Sequence, residues 1–220
     1  MKQARLFNKP PLDSLKDYLE NVLIVQSIAQ GWAKIADHYL TPGATIADLT
    51  HRTGRQWGLC LEKYNVLAFD LDPKQPVQAA ADAGAIPLQR ESVDAIVFDP
   101  PWLLGTPHES GVNAEKYSAP CKKEEDVLNF IDSARWLSVL KKPHGLVFVR
   151  CQSYHHGGKF RPFPYLLWNR LENCGPFSLW DEVTLLHGAI RPRHAMDQKA
   201  PKTMKVSSLW QVYKISKERL

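Results

Sequence analysis

Four consecutive residues, Asp99, Pro100, Pro101 and Trp102, are the part of the sequence best suited to chemistry, and they directly follow an apolar run. The Asp99 carboxylate and the Pro100 carbonyl can both accept hydrogen bonds from an amine. An aryl amine needs such help, because its ring delocalises the lone pair that must reach a methyl donor. The prolines fix the turn and lack competing N–H groups, and Trp102 offers a flat face for stacking. A D-P-P tripeptide alone also fits an ordinary tight loop.

The elements that must position this turn are apolar strands. Apolar runs at 44–49, 65–70, 93–99 and 145–150 predict buried strands, and the first three carry Asp48, Asp70 and Asp99 at or near their ends. Continuously apolar strands that alternate with helices indicate a parallel sheet covered on both faces. Open α/β sheets bind ligands at the carboxyl edge of such strands. The fold class predicted is therefore α/β.

The remaining pattern predicts helices and a strand pair. The expected helices are 14–39 with a break near Gly31, a three-turn helix at 54–64, and an amphipathic helix at 124–141. Two strand candidates, 181–187 and 207–215, have no long helix between them. We therefore expect them to pair antiparallel.

The motif at 99–102 resembles that of the S-adenosylmethionine-dependent DNA and RNA amino-methyltransferases, which reads [DNS]-P-P-[YFW]. The Trp variant is most similar to messenger-RNA adenine methyltransferases and to some phage and bacterial DNA adenine methyltransferases. The resemblance covers residues 40–150. It implies a single Rossmann-like class I methyltransferase domain, with a mostly parallel seven-stranded sheet and an antiparallel C-terminal strand pair. It also implies direct in-line methyl transfer to nitrogen without a covalent intermediate.

The resemblance implies a cofactor loop at 48–54, where the family has D-P-F-x-G-[ST]-G. Asp48, Thr53 and Gly54 match this pattern, whereas the middle glycine is missing and Leu49, Thr50 and Arg52 depart from it. Thr50 lies inside the loop and is counted among the expected contacts with S-adenosylmethionine.

Two further positions are implied to hold the cofactor. Asp70 ends the second strand, where the family places an acid on the ribose hydroxyls, and Asp72 is the near alternative. The string from Asp82 to Trp102 is close to the family pattern D-[AI]-x-x-[LI]-P-[LF]-x-x-x-[ST]-[VF]-D followed by the catalytic motif. Asp82 would accept a hydrogen bond from the adenine amino group of the cofactor, with Ala83 alongside.

Mixed aromatic and basic side chains lie after the fourth strand, in the segment 151–170. They suit stacking on bases and neutralising phosphates. A second basic stretch lies between the last two strands. The expected nucleic-acid contacts are Tyr154, His155, Lys159, Arg161, Arg191 and Arg193. The alternatives are that the aromatics belong to the core and that the second stretch is a solvated hairpin tip.

The composition predicts one domain. With 220 residues, 44% of them hydrophobic, the chain can bury one large core. We divide it into an N-terminal helical segment (1–43), a cofactor and catalytic core (44–150), and acceptor-side loops with C-terminal strands (151–220). No apolar run approaches the roughly 20 residues of a membrane span. With no secretory signal evident, we expect a cytoplasmic protein without a membrane partner, in a bacterium, an archaeon or a phage-infected host cell.

The charge balance and the spacing of the cysteines indicate which kinds of partner the protein could bind. The formal net charge of +5 suits a nucleic acid, although it also fits an ordinary basic protein. The four cysteines are widely spaced and form no C-x-x-C pair, so we predict no metal site. The chain leaves no room for a separate target-recognition domain. Target recognition would then come from the loops, a second copy in a homodimer, or a partner protein.

The acceptor expected first is N6 of adenine in DNA, followed by N6 of adenine in RNA and N4 of cytosine. Guanine-N2 methylation of structural RNA shares a related motif but usually comes with an added RNA-binding domain. Methylation of a protein glutamine or a small amine is a second enzyme class. A non-catalytic, RNA-holding subunit is a third interpretation, which the degraded loop at 49–54 supports and the intact Asp99 opposes.

Overall fold

A twisted sheet of eight strands organises the chain in the computed structural model, which describes residues 22–100, 124–132, 135–156, 159–187 and 207–215. The strands of this sheet are β1 (Val22–Val25), β2 (Thr45–Asp48), β3 (Asn65–Asp70), β4 (Ala79–Ala80), β5 (Ala95–Phe98), β6 (Leu146–Cys151), β9 (Phe177–His187) and β10 (Ser207–Ile215). Two short strands, β7 (Tyr154–His156) and β8 (Lys159–Arg161), form a separate hairpin. The helices are α1 (Ile28–Tyr39), α2 (Glu124–Asp132), α3 (Arg135–Val139) and α4 (Phe163–Cys174).

The strand order is β1-β9-β10-β6-β5-β2-β3-β4, and β10 alone among these eight runs antiparallel to both neighbours. The predicted α/β class, the mostly parallel sheet and the antiparallel C-terminal pair are confirmed. The sheet has one strand more than the seven expected, because β1 adds to the edge of β9. The chain leaves β2 towards β3 on one side and later returns to β5 on the other. This reversal makes the carboxyl ends of β2 and β5 a topological switch point.

Both faces of the sheet are covered. On one face Trp32 of α1 packs edge-to-face against Trp57 and Phe148, with ring centroids 5.1 and 5.4 Å apart, and lies 4.8 Å from the ring of Trp210. On the other face α2, α3 and α4 bury an aliphatic and aromatic core that includes Trp136. At roughly 25 cal/mol per Å² of apolar surface, these large rings are a main source of stability.

The predicted helix over 14–39 is wrong at residues 22–25, which form β1. Their sequence, VLIV, is rich in β-branched residues that fit a strand. The helix begins only after Ser27, whose hydroxyl accepts the Gln30 N–H at 3.1 Å as an N-cap. Residues 14–21 lie outside the described residues.

The predicted break near Gly31 is also wrong, because α1 runs through it. A Cβ at this position would lie 2.5 Å from Cδ1 of Leu185 on β9. Gly31 therefore allows the helix to approach the sheet closely, rather than ending it.

Two other helix predictions need correction. Residues 54–64 form two 3₁₀ turns, Arg55–Trp57 and Leu61–Lys63, instead of a three-turn helix. The predicted helix over 124–141 corresponds to α2 and α3. None of the helices within the described residues is long and apolar enough to cross a membrane.

Candidate active site

Three aspartates lie at the carboxyl ends of three adjacent parallel strands. Asp48 ends β2, where it is paired with Ala68 of β3 on one side and Val97 of β5 on the other. Asp70 and Asp99 each follow two residues beyond those partners. The strand order thus brings all three acids to one edge, at the switch point where open α/β sheets bind ligands.

Asp48 organises the loop that follows it. The residue is fully buried, and its Oδ2 receives hydrogen bonds from Trp57 Nε1 at 2.6 Å and Gln56 Nε2 at 3.1 Å, and lies 2.9 Å from His51 Nδ1. Its Oδ1 accepts the N–H of Thr50 at 3.2 Å. A buried carboxylate is stable only with such partners. Asp48 therefore fixes the shape of the loop, and a direct contact between Asp48 and a cofactor stays a prediction.

The same loop is bound to the end of β3. The His51 N–H donates to the Phe69 carbonyl at 2.9 Å, and the Arg52 N–H donates to Asp70 Oδ2 at 3.0 Å. Arg52 has a positive φ of 52°, a conformation that costs a non-glycine residue about 1–2 kcal/mol. The Asp70 contact helps to hold this strained backbone beside the strand end.

Gly54 closes the loop in the left-handed region, with φ of 65°. A Cβ there would lie 2.6 Å from Nε2 of His51, whose ring covers the glycine. The match of Gly54 to the family motif thus has a local physical reason in this chain. Thr53, beside it, is exposed.

The turn with the candidate catalytic acid is joined to this loop. The Asp99 N–H donates to Thr50 Oγ1 at 2.7 Å. The Asp99 carboxylate accepts a hydrogen bond from Arg150 through an Nη1–Oδ2 contact of 2.9 Å, and the two side chains are 20% and 17% exposed. Pro100 is buried. Pro101 and Trp102 lie outside the described residues.

Asp82 and Ala83 lie next to Asp70. The Ala81 N–H donates to the Asp70 carbonyl at 2.9 Å, which brings the end of β4 to the end of β3. Asp82 is exposed and accepts the Gly84 N–H at 2.7 Å. Ala83 is buried, and its carbonyl accepts a hydrogen bond from Trp136 Nε1 at 2.6 Å. The two residues therefore border the same edge as the three strand-end aspartates.

Asp72 differs from Asp70 in its surroundings. Its carboxylate accepts the Lys74 N–H at 3.0 Å and the Gln75 side-chain amide at 2.9 Å, and these hydrogen bonds, the backbone one first, lower the pKa of Asp72. Both partners belong to the turn that Asp72 begins. Asp70 is bonded to the expected cofactor loop at the strand ends, whereas Asp72 is bonded within its own turn.

The structure describes only some of the residues expected to contact a nucleic acid. Lys159 and Arg161 lie on β8, in the hairpin that follows the carboxyl end of β6, with Phe160 58% exposed between them. Tyr154 pairs with Arg161 and His155 with Phe160 in the register of that hairpin. Arg191 and Arg193 lie outside the described residues.

Sequence reasoning missed Arg150, which contacts the candidate catalytic acid. The available signal was a charged residue near the end of an otherwise apolar strand, GLVFVR, with the opposite charge of the Asp99 that ends VDAIVFD. The two charged residues come into contact because β5 and β6 are neighbours in the sheet.

By sequence, no family model and no curated protein matches the chain. By structure, it is similar to a complex of the Haloferax volcanii Trm112 methyltransferase activator with a candidate methyltransferase, with a TM-score of 0.54 and 12% identity over 86% of this chain and 94% of that one. It is similar as well to a Burkholderia thailandensis 1,6-didemethyltoxoflavin-N1-methyltransferase with bound S-adenosylhomocysteine, with a TM-score of 0.51 and 15% identity over 87% and 79%. The chain has the methyltransferase fold.

The likeness extends to the [4+2]-cyclase SpnF, with a TM-score of 0.54 and 13% identity over 86% of this chain and 81% of that one. The fold that these proteins share therefore does not determine the reaction. The reaction must be argued from the residues at the carboxyl edge.

Proposed function

We propose that the chain is an S-adenosylmethionine-dependent methyltransferase that methylates an exocyclic amino group of a nucleic-acid base, with N6 of adenine in DNA as the first acceptor. The observation that carries the proposal is the hydrogen bond from the Asp99 N–H to Thr50 Oγ1. It joins the turn that carries the candidate catalytic acid to the expected cofactor loop, across the switch point of the sheet. The similarity of the fold to that of solved methyltransferases also supports the proposal.

The residues at the edge fit the cofactor by their chemistry. The half-buried carboxylate of Asp70 suits two vicinal ribose hydroxyls, because it can accept a hydrogen bond from each. The loop of residues 49–54, held by Asp48, would lie against the methionine part. Asp82 would accept from the adenine amino group, beside the apolar Ala83.

Bound S-adenosylmethionine supplies an electrophilic methyl group. The Asp99 carboxylate and the Pro100 carbonyl would accept the amine protons and direct the nitrogen lone pair. The acceptor nitrogen would form the new N–C bond with this lone pair while the electrons of the S–C bond stay on sulfur, and it would release one proton to water. Trp102 would stack on the base, and Pro101 would keep the turn rigid.

The hairpin of β7 and β8 supports a nucleic acid as the acceptor. Lys159 is exposed and Arg161 partly exposed, on a hairpin that begins beyond the carboxyl end of β6, next to the strand that carries Asp99. An exposed Phe160 between two cations suits stacking on bases beside phosphate neutralisation. The net charge of +5 favours the same class of partner. N6 of adenine in RNA and N4 of cytosine are the next acceptors in order.

A small heteroaromatic amine is the second candidate acceptor. It is favoured by the similarity to the Burkholderia enzyme, which is an N-methyltransferase of 1,6-didemethyltoxoflavin. A partner protein that completes target recognition is also proposed, since the Haloferax chain with this fold occurs in a complex with an activator. A second copy of the chain is the alternative to such a partner.

The experiment that tests the function is methyl transfer from labelled S-adenosylmethionine, with unmethylated genomic DNA and total RNA offered in parallel. Digestion to nucleosides and mass spectrometry then identify the product. We expect N6-methyladenine in the DNA. Label in RNA alone would move the acceptor to RNA. Absence of a methylated nucleoside in both polymers, with cofactor still bound, would contradict transfer to a nucleic acid by the chain alone and would favour a protein acceptor, a small amine or the need for an activating partner.

A further inference from the structure

The ion pair between Arg150 and Asp99 lies at the site of the proposed reaction. We propose that Arg150 is a positioning residue, which fixes the orientation in which the Asp99 carboxylate accepts a hydrogen bond from the acceptor amine. The inference rests on the proposed function. It adds a residue that the motifs at 48–54, 82–88 and 99–102 do not contain.

The register of the sheet explains why the two side chains meet. Phe98 of β5 pairs with Val149 of β6 in a parallel ladder, so Asp99 and Arg150 are the next residues on adjacent strands. Side chains alternate between the faces of a strand. Asp99 and Arg150 therefore leave the sheet on the face of Val97 and Phe148, which belong to the core beneath α1.

Contacts with Thr50 and Arg150 hold different parts of Asp99 from opposite sides of β5. Its main chain is tied through the N–H to Thr50, in the loop after β2, at 2.7 Å. Its carboxylate is tied to Arg150, on β6, at 2.9 Å. Because one neighbour holds the backbone and the other holds the side chain, these contacts favour the orientation of the carboxylate that faces Arg150.

Arginine suits this task better than lysine. The guanidinium is planar and presents its donors in a fixed geometry, whereas an ammonium on a flexible stem does not define a plane. Both members of the pair are largely shielded from solvent, at 17% and 20% exposure, so the contact is less screened than a surface ion pair. Arg150 also lies opposite Trp210 on the neighbouring β10, which limits its backbone movement.

The variants for the test are Arg150→Gln, which removes the charge, and Arg150→Lys, which keeps the charge but not the planar group. Arg170→Gln is the matched control. Arg170 forms ion pairs with Glu125 at 2.6 Å and with Asp132 at 3.1 Å, on helices α4 and α2 that cover one face of the sheet. Turnover, the KM for the acceptor, the dissociation constant for S-adenosylhomocysteine and the melting temperature are measured for each.

We expect Arg150→Gln to lower kcat by about 100-fold, the loss typical of a misplaced catalytic group. Its affinity for S-adenosylhomocysteine should stay at the wild-type value, and Arg150→Lys should recover part of kcat. Arg170→Gln should leave kcat unchanged. If the glutamine variant does not fold, the lysine variant decides, because a lowered kcat with unchanged cofactor affinity is still expected from it.

A double-variant comparison separates positioning from a structural role. When Arg150→Gln is added to Asp99→Asn, we expect a much smaller further loss of kcat than in the wild-type chain, because the group that Arg150 orients is already altered. An equal loss in both backgrounds would overturn the proposal. So would a wild-type kcat in Arg150→Gln or Arg150→Lys, or a loss that merely follows the melting temperature. Absence of transfer by the wild-type chain would instead contradict the proposed function, and with it this inference.

Discussion

At the scale of the residue, three aspartates at one edge of the sheet have different partners and therefore different tasks. Asp48 is fully buried and directs its oxygens to donors in its own loop. Asp70 accepts backbone N–H groups of Arg52 and Asp72. Asp99 accepts a hydrogen bond from the guanidinium of Arg150. Substituting each of them should therefore change a different property of the protein.

The first prediction concerns Asp99. Asp99→Ala should reduce methyl transfer by at least about 100-fold, because the amine loses the carboxylate that accepts its hydrogen bond. The dissociation constant for S-adenosylhomocysteine should remain close to the wild-type value, since Asp99 is not among the expected cofactor contacts. Transfer is measured with labelled cofactor, and binding by calorimetry.

The control for this prediction lies at the other end of the same strand. Asp94 precedes β5 and accepts the Thr45 N–H at 2.8 Å, far from the carboxyl edge. Asp94→Ala should keep its transfer activity and lose only stability. Retained activity in Asp99→Ala would refute the catalytic assignment.

At the scale of the element, the sequence predicts the central strands well. The runs that became β2, β3, β5 and β6 are continuously apolar, and burial on both faces of a parallel sheet requires that pattern. Their order along the chain and the acids at their ends made the carboxyl edge predictable before any contact was known. The antiparallel pairing of β9 and β10 is predicted on a different ground, namely that the sequence shows no long helix between the two strands.

Elements whose patterns are short or ambiguous were not predictable. The four residues of β1 are too few to show the two-residue period of a strand. Because a helix follows them closely, the sequence predicts one helix over both elements. The 3₁₀ turns at Arg55–Trp57 and Leu61–Lys63 arise where Gly54 and Gly58 interrupt the helical pattern. Tertiary contacts decide the conformation in such segments.

The second prediction concerns the cofactor loop. Gly54→Ala should weaken S-adenosylhomocysteine binding and lower stability, because alanine at a φ of 65° costs about 1–2 kcal/mol and its Cβ would clash with His51. Calorimetric titration and thermal melting measure the two effects.

Gly58→Ala is the matched control for the loop. Gly58 has an ordinary right-handed conformation, and a Cβ there would lie 3.5 Å from the Arg55 carbonyl, an ordinary contact. It should leave cofactor binding unchanged. Equal effects in the two variants would argue against a special role for the left-handed glycine.

The third prediction concerns the β7 and β8 hairpin. Replacing Lys159 and Arg161 by alanine should weaken DNA binding and reduce the slope of log affinity against log salt by about 1–2, because up to two phosphate contacts are lost. Fluorescence anisotropy at several salt concentrations measures both quantities. Lys214→Ala is the control, since Lys214 pairs with Leu146 at the start of β6, on the opposite edge of the sheet. Unaltered binding in the double variant would place the acceptor groove elsewhere.

At the scale of the whole molecule, the architecture separates stability from chemistry. Aromatic and aliphatic cores on both faces of the sheet bury the large side chains, among them Trp32, Trp57, Trp136 and Trp210. The strand-end aspartates and Arg150 gather instead at the carboxyl edge. Arg150 shows why the site was only partly predictable. Its contact joins residues 51 positions apart and depends on β6 lying beside β5, which the sequence does not state.

The most direct test of the proposed cofactor site is a calorimetric titration of the intact chain with S-adenosylhomocysteine, repeated with Asp70→Asn and Asp72→Asn. We expect one site per chain and a rise in melting temperature with ligand. Asp70→Asn should weaken binding by roughly 10-fold or more, as the loss of a charged hydrogen-bond acceptor implies, whereas Asp72→Asn should bind as the wild type does. Weakening by Asp72→Asn alone would move the ribose contact to that residue. Absence of both a heat of binding and a rise in melting temperature in the wild-type chain would contradict the proposal that this chain binds S-adenosylmethionine.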